Sequence, residues 1–196
     1  MKKVILFSKL TENNTNELLE NIFPIEIKNK VVAYMPSDGW NIKEKYTQEW
    51  INYTKKYNAD FLLINNSLNT EDEYQKLLKA NILVISGGNT YILLNNLRKS
   101  GLDRAIKEYI KKDDYILAGM SAGALVLTPN IKVCEFRDGL NTLNLENLTG
   151  LNIVDFEILP HFTEQEFGDI YNRYLLTTKN EVKKISDDDY ITVNLD

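Results

Sequence analysis

Tyr115-Ile116-Leu117-Ala118-Gly119-Met120-Ser121-Ala122-Gly123-Ala124-Leu125-Val126-Leu127 reads as a short buried strand, a sharp turn and the start of a helix. The unbroken apolar run before the turn suits a strand covered on both faces, as in a parallel sheet. The turn, Gly119-x-Ser121-x-Gly123, has the pattern of a nucleophile elbow. Its glycines let strand and helix backbones pass closely. Its serine is forced into a strained corner, with Oγ exposed at the carboxyl edge of the sheet. The backbone N–H of Ala122 then points where an oxyanion would form, and the helix behind it adds a positive dipole end. Such a pattern arises by chance in roughly one protein in twenty of this length. Its weight therefore comes from the strand before it and the helix after it.

Apolar runs alternate with amphipathic segments on both sides of this stretch. Val4 to Phe7, Val31 to Met35, Phe61 to Ile64 and Ile82 to Ile85 read as strands. Between them, Asn14 caps a helix to about Asn21. Asn41 caps a second to about Tyr57, with Tyr46, Trp50, Ile51 and Tyr53 as its buried stripe. Thr70-Glu71-Asp72-Glu73 is a capping box, with Tyr74, Leu77 and Leu78 on the apolar face behind it. Ser86-Gly87-Gly88-Asn89-Thr90 leads into a helix from Tyr91 to Leu97. Gly101 breaks that helix, and another follows to about Ile110. Pro129 to Gly150 is Asn-rich and weakly patterned, suiting loops or short strands. Val154 to Leu159 is a strand, Thr163 to Glu166 a second capping box, and its helix runs to about Thr178. Val182–Ile185 and Tyr190–Val193 read as a terminal hairpin turning at Asp187-Asp188-Asp189. This alternation predicts an α/β fold: one domain over 1–196, a three-layer sandwich with a mostly parallel central sheet. Ligands of such sheets bind at the carboxyl ends of the strands, where both the Gly87-Gly88 loop and the elbow lie.

The 196 residues are 43% hydrophobic and 26% charged, enough for a full α/β core. The net charge of −5, with no basic face, argues against nucleic acid or an anionic membrane as partner. The single cysteine, Cys134, excludes an internal disulfide and reads as a small buried residue. The apolar run after Lys2-Lys3 is too short for a signal peptide, and no segment has membrane-spanning length. The expectation is a cytoplasmic protein.

A serine hydroxyl needs a base. The one histidine, His161, follows Pro160 at the end of a predicted strand. If that strand runs parallel to the elbow strand, the imidazole meets Ser121 on one edge. The base in turn needs a group to fix its tautomer, and Asp187, Asp188 and Asp189 are candidates. Asp155 and Glu157 are disfavoured, because two residues of the histidine's own strand cannot fold back onto its ring. Ala122 N–H and Gly87-Gly88 can form an oxyanion hole. No Walker lysine or dinucleotide spacing follows the glycines, which argues against a nucleotide cofactor. One His and one Cys, far apart, give no metal-ligand set. No cofactor is expected.

Taken together, Gly87-Gly88-Asn89-Thr90, Gly119-Met120-Ser121-Ala122-Gly123-Ala124 and Pro160-His161-Phe162 resemble the serine peptidase family of aspartyl dipeptidase (peptidase E) and cyanophycinase. The motifs stand in the family's order and approximate spacing, and the likeness covers nearly the whole chain. The resemblance implies a flavodoxin-like fold similar to class I glutamine amidotransferases. It implies Ser121 as nucleophile, His161 as general base and acid, and Gly88 and Ala122 N–H groups as the oxyanion hole. The family's late acid falls on Asp187, or on Asp188 with one residue of slippage. Asn89 and Arg173 are the candidates for substrate binding. Arg173 matches the arginine with which the dipeptidase recognises aspartate only loosely, and Arg137 is a second basic group within reach of a site. The chain also stops sooner after its last strand than the family pattern leads one to expect. The implied activity is that of a serine-type peptidase on small peptides, a dipeptidase in the family's manner and a homodimer by analogy. The competing readings are an esterase or amidase on a non-peptide acyl compound, and a non-catalytic binding protein of the same fold.

Overall fold

In the computed structural model, which describes residues 1–27, 29–39, 41–137 and 141–195, the chain alternates strand and helix from its start. The elements are β1 (Lys2–Phe7), α1 (Thr15–Ile22), β2 (Val31–Met35), α2 (Lys45–Lys56), β3 (Asp60–Leu63), α3 (Glu71–Lys79), β4 (Ile82–Ile85), α4 (Thr90–Ser100), α5 (Leu102–Tyr109), β5 (Tyr115–Met120) and α6 (Ala122–Leu125). A 3₁₀ turn at Lys132–Glu135 follows, then β6 (Glu157–Pro160), α7 (Glu164–Leu175), β7 (Val182–Ile185) and β8 (Tyr190–Asn194). The loose stretch from Pro129 to Gly150 contains that turn and one isolated bridge, Asn130 to Thr149; its residues 138–140 lie outside the described part.

Six strands form the main sheet in the order β3-β2-β4-β5-β1-β8, all parallel except β8, which pairs antiparallel with β1. Alternate residues face opposite ways, as the two-residue strand period requires. Ile5, Phe7, Val32, Tyr34, Val84 and Ala118 pack with Leu18, Leu19, Ile22 and Trp50 of α1 and α2. Val4, Leu6, Ala33, Leu83, Ile85 and Leu117 pack with residues of α3 to α6. The result is the expected three-layer α/β sandwich. Among the described residues, no helix is long and apolar enough to cross a membrane.

The expected terminal hairpin does not form. β7 pairs in parallel with β6 as a separate two-stranded sheet, with Pro160 opposite Ile185, and β8 alone joins the main sheet. Residues 186–189 are therefore a crossing between two sheets. Apolar periodicity tells which face of a strand is buried but not which strand lies beside it.

The start of α2 and the capping of α1 also differ from expectation. α2 begins at Lys45, capped by Glu44, whose carboxylate accepts from Thr47 N–H at 2.9 Å. The face it turns to the sheet buries Thr47, Trp50 and Thr54 and leaves Tyr46 exposed. Asn14 stands at the N-cap of α1 but makes no side-chain cap bond. Its Oδ1 accepts from Thr11 N–H, while its Nδ2 donates to the carbonyls of Lys9 and Asp187.

Candidate active site

The corner after β5 is set by steric contact. Ser121 adopts φ 49° and ψ −106°, outside the regions open to an ordinary L-residue. Its N–H donates to Phe7 O at 2.8 Å, which ties the corner to β1. A Cβ on Gly123 would stand 2.2 Å from Ile85 O, and one on Gly119 would stand 2.7 Å from Gly123 O. Only glycine lets α6 leave β5 so close to the end of β4. α6, the helix expected after the turn, is a single turn and so supplies little macrodipole.

His161 and Asp187 arrive from the small sheet. Because β6 and β7 are parallel with Pro160 opposite Ile185, the residues just beyond their ends lie side by side. The histidine strand is thus not a member of the main sheet, yet it reaches the same edge through Ser8. This buried residue at the end of β1 accepts from His161 N–H at 2.9 Å and donates to Ile185 O at 3.0 Å. His161 is held at φ 59°. Its Nε2 lies 2.8 Å from Ser121 Oγ and its Nδ1 lies 2.6 Å from Asp187 Oδ1. An ionised carboxylate only accepts, so the consistent tautomer carries its proton on Nδ1 and receives the Ser121 hydroxyl proton at Nε2.

Of the three aspartates, only Asp187 meets the imidazole. Asp188 accepts from Thr11 Oγ1 and Asn13 Nδ2, and Asp189 accepts from Ser186 Oγ. Asp187 Oδ2 lies 2.6 Å from Lys9 Nζ. Partial burial by itself would push the Asp187 carboxyl up. Hydrogen bonds and charges from Lys9 and His161 outweigh that and hold it below its ordinary value.

Beside Ser121 opens a cavity of about 620 Å³, lined by Gly88, Asn89, Tyr91, Arg137, His161 and Phe167 among others. Gly88 has φ 142°, and a Cβ there would stand 1.9 Å from Ser37 Oγ. Asn89 caps α4 through a bond from Ile92 N–H at 3.0 Å. Arg137 donates to Pro160 O at 3.0 Å, and its guanidinium lies 4.5 Å from the Phe167 ring centroid. Arg173, by contrast, is exposed in the last turn of α7 and is not among the described residues lining the cavity. Burial pushes the Tyr91 hydroxyl up to about 12 and raises the Cys134 thiol, so both cavity groups are uncharged at neutral pH. Among the described residues, no group of three or more His, Cys, Asp or Glu side chains could hold a metal ion. Glu157 is buried and receives bonds from Asn130, Tyr174, Thr178 and Asn180, well away from the imidazole's partners.

Sequence reasoning did not single out Ser8 and Lys9. The available signal was their position directly after the first apolar strand, on the carboxyl edge where such sheets place their ligands.

A family model described as peptidase family S51 matches residues 4–196. The chain is similar to an uncharacterized peptidase of Listeria monocytogenes, 34% identical over 60% of this chain and 58% of that protein. It is also similar to a peptidase E of Shigella flexneri, 30% identical over 60% of this chain and 51% of that protein. The match spans about half the length of the curated relatives. A solved Listeria monocytogenes structure named for peptidase E superposes with TM-score 0.76 at 26% identity, covering all of both chains. A peptidase from an acI-B1 actinobacterium superposes with TM-score 0.73 at 20% identity, covering 99% of this chain and 84% of that one, a likeness of fold.

Proposed function

The chain belongs to peptidase family S51, and from that premise we propose that it is a serine hydrolase cleaving small peptides, dipeptides included, through an acyl-enzyme. The observation that carries the reading is the continuous contact from Ser121 Oγ to His161 Nε2 at 2.8 Å and from His161 Nδ1 to Asp187 Oδ1 at 2.6 Å. In this reading Ser121 Oγ attacks the scissile carbonyl as its proton passes to His161 Nε2. The oxyanion is received by the N–H groups of Gly88 and Ala122. The imidazolium, steadied by Asp187, then protonates the leaving amine. A water repeats the sequence on the acyl-enzyme, releasing the carboxylate product and the free serine. The cavity suits a ligand of a few residues. Arg137 puts positive charge in its wall, which favours a substrate bearing a carboxylate. Arg173 is left without a role in this account.

A fluorophosphonate probe tests activation of the serine without knowledge of the substrate. Labelling of the unsubstituted protein and none of Ser121→Ala is expected, and an unlabelled parent protein would reject the mechanism. On a panel of dipeptides beside aryl esters, Ser121→Ala should lose about 10⁴-fold or more in kcat/KM. Asp187→Asn should lose about 10³–10⁴-fold, while Asp188→Asn should change it little. Faster turnover of the esters than of every dipeptide would move the reading to an esterase.

A further inference from the structure

The carboxylate that meets the imidazole is shared. Asp187 gives one oxygen to His161 and the other to Lys9 Nζ, each at 2.6 Å. Lys9 lies in the loop that leaves β1, and four further side-chain bonds brace this loop, three of them reaching the acid's own segment. Asn14 Nδ2 donates both to Lys9 O and to Asp187 O, and Thr11 and Asn13 hold Asp188. The ammonium is thus placed by an ordered frame, one carboxylate away from the base.

We infer that Lys9 is a positioning residue for the base: by holding the second Asp187 oxygen it fixes which oxygen the carboxylate offers to His161. The inference deepens the function proposed above and rests on it for its catalytic meaning. An exposed ion pair adds little to stability, and Lys9 and Asp187 are 51% and 40% exposed. The effect on placement is separate from that: a carboxylate whose second oxygen is tied to an ammonium offers the imidazole one fixed oxygen, whereas an untied one is free to rotate away.

Among the described residues, other charged side chains also stand near the acid and the imidazole. Asp188 is held by Thr11 and Asn13, and Asp189 by Ser186. Arg137 is anchored on Pro160 O, and Glu166 of α7 lines the cavity. Tyr91 and Cys134 are neutral there. Among the described residues, Lys9 is the side-chain ammonium that contacts the acid.

His161 is the chain's single histidine, so its ring NMR signals can be followed without assignment. The Nδ1 proton held by Asp187 reports the placement directly. In Lys9→Met and in Lys9→Gln, that proton should exchange with water roughly tenfold faster than in the unsubstituted protein, and kcat should fall while KM stays close to the parent's. Lys9→Arg, which keeps a cation on the second Asp187 oxygen, should stay close to the parent. Unchanged exchange in both neutral variants would overturn the inference, because the carboxylate would then be held without the ammonium. The readout does not depend on turnover, so failure to find any hydrolysed substrate would count against the proposed function alone.

Discussion

Ser121 leaves the end of β5 inside the six-stranded sheet, whereas His161 and Asp187 leave β6 and β7, a two-stranded sheet outside it. The first region is held by backbone packed against backbone: Gly119 and Gly123 against α6 and Ile85, and Ser121 N–H on Phe7 O. The second is held by side chains of residues 8–14 reaching across 150 or more positions of sequence to His161, Ile185, Asp187 and Asp188. Steric placement is rigid and fails by clash. Polar placement is adjustable and fails by leaving a donor or acceptor without its partner. The nucleophile is thus built into the core, and the base is brought to it by a polar joint at Ser8.

The largest effect that separates the regions is expected from Gly123→Ala. Its methyl would stand 2.2 Å from Ile85 O and 2.9 Å from Ser86 O, backbone atoms at and just past the end of β4. Relief requires α6 to move off β4, at a cost of about 3 kcal/mol, which is a fall of roughly 6–12 °C in Tm. Thermal unfolding measures it; a stability equal to the parent's would mean that the corner is not sterically fixed. Ser8→Ala probes the other construction and should cost less. Ile185 O keeps its bond from Phe162 N–H, so the orphaned group is His161 N–H. The expected loss is about 2 kcal/mol, with kcat lowered roughly tenfold as the imidazole loses its fixed placement. If turnover held while stability fell, Ser8 would be a structural strut without influence on the base.

The same contrast explains what could be read from the chain. The elbow was visible because its determinants are local: an apolar strand, two glycines, a serine and small residues within ten positions. Every strand core was visible for the same reason, as were the caps at Thr70 and Thr163, whose hydroxyls accept from Glu73 N–H and Glu166 N–H. Partnership between distant strands left no such mark, so β7 and β8 read as a hairpin although they belong to different sheets. Asn14 reads as an N-cap, yet its oxygen accepts from Thr11 N–H and its amide nitrogen donates to Asp187 O, a partner no local pattern reveals. The pattern could not separate Asp187 from its neighbours, since one residue of slippage in a turn changes the identity without changing the chemistry. Arg173 was selected by loose alignment and lies exposed, while Arg137 reaches the cavity from the weakly patterned stretch where no periodicity places anything.

The smallest predicted effect concerns the strain in the corner itself. Ser121 at φ 49° and ψ −106° is held where only glycine is comfortable, at a cost on the order of 1–3 kcal/mol. Comparing Ser121→Gly with Ser121→Ala isolates that term, because both variants lose the hydroxyl and its bond to His161. Glycine removes the Cβ clash but gives the unfolded chain extra freedom, which takes back roughly 0.5–1 kcal/mol. The balance should leave the glycine variant more stable than the alanine variant by about 1 kcal/mol, or roughly 2–4 °C in Tm. The opposite order would mean that the corner is relaxed, and the distinction between a sterically imposed nucleophile and a polar-tethered base would lose its first half. The expected order means that the packing around Gly119, Gly123 and Ile85 stabilises the fold by more than the serine's conformation costs it. That would account for a strained residue persisting where one hydroxyl must face one imidazole.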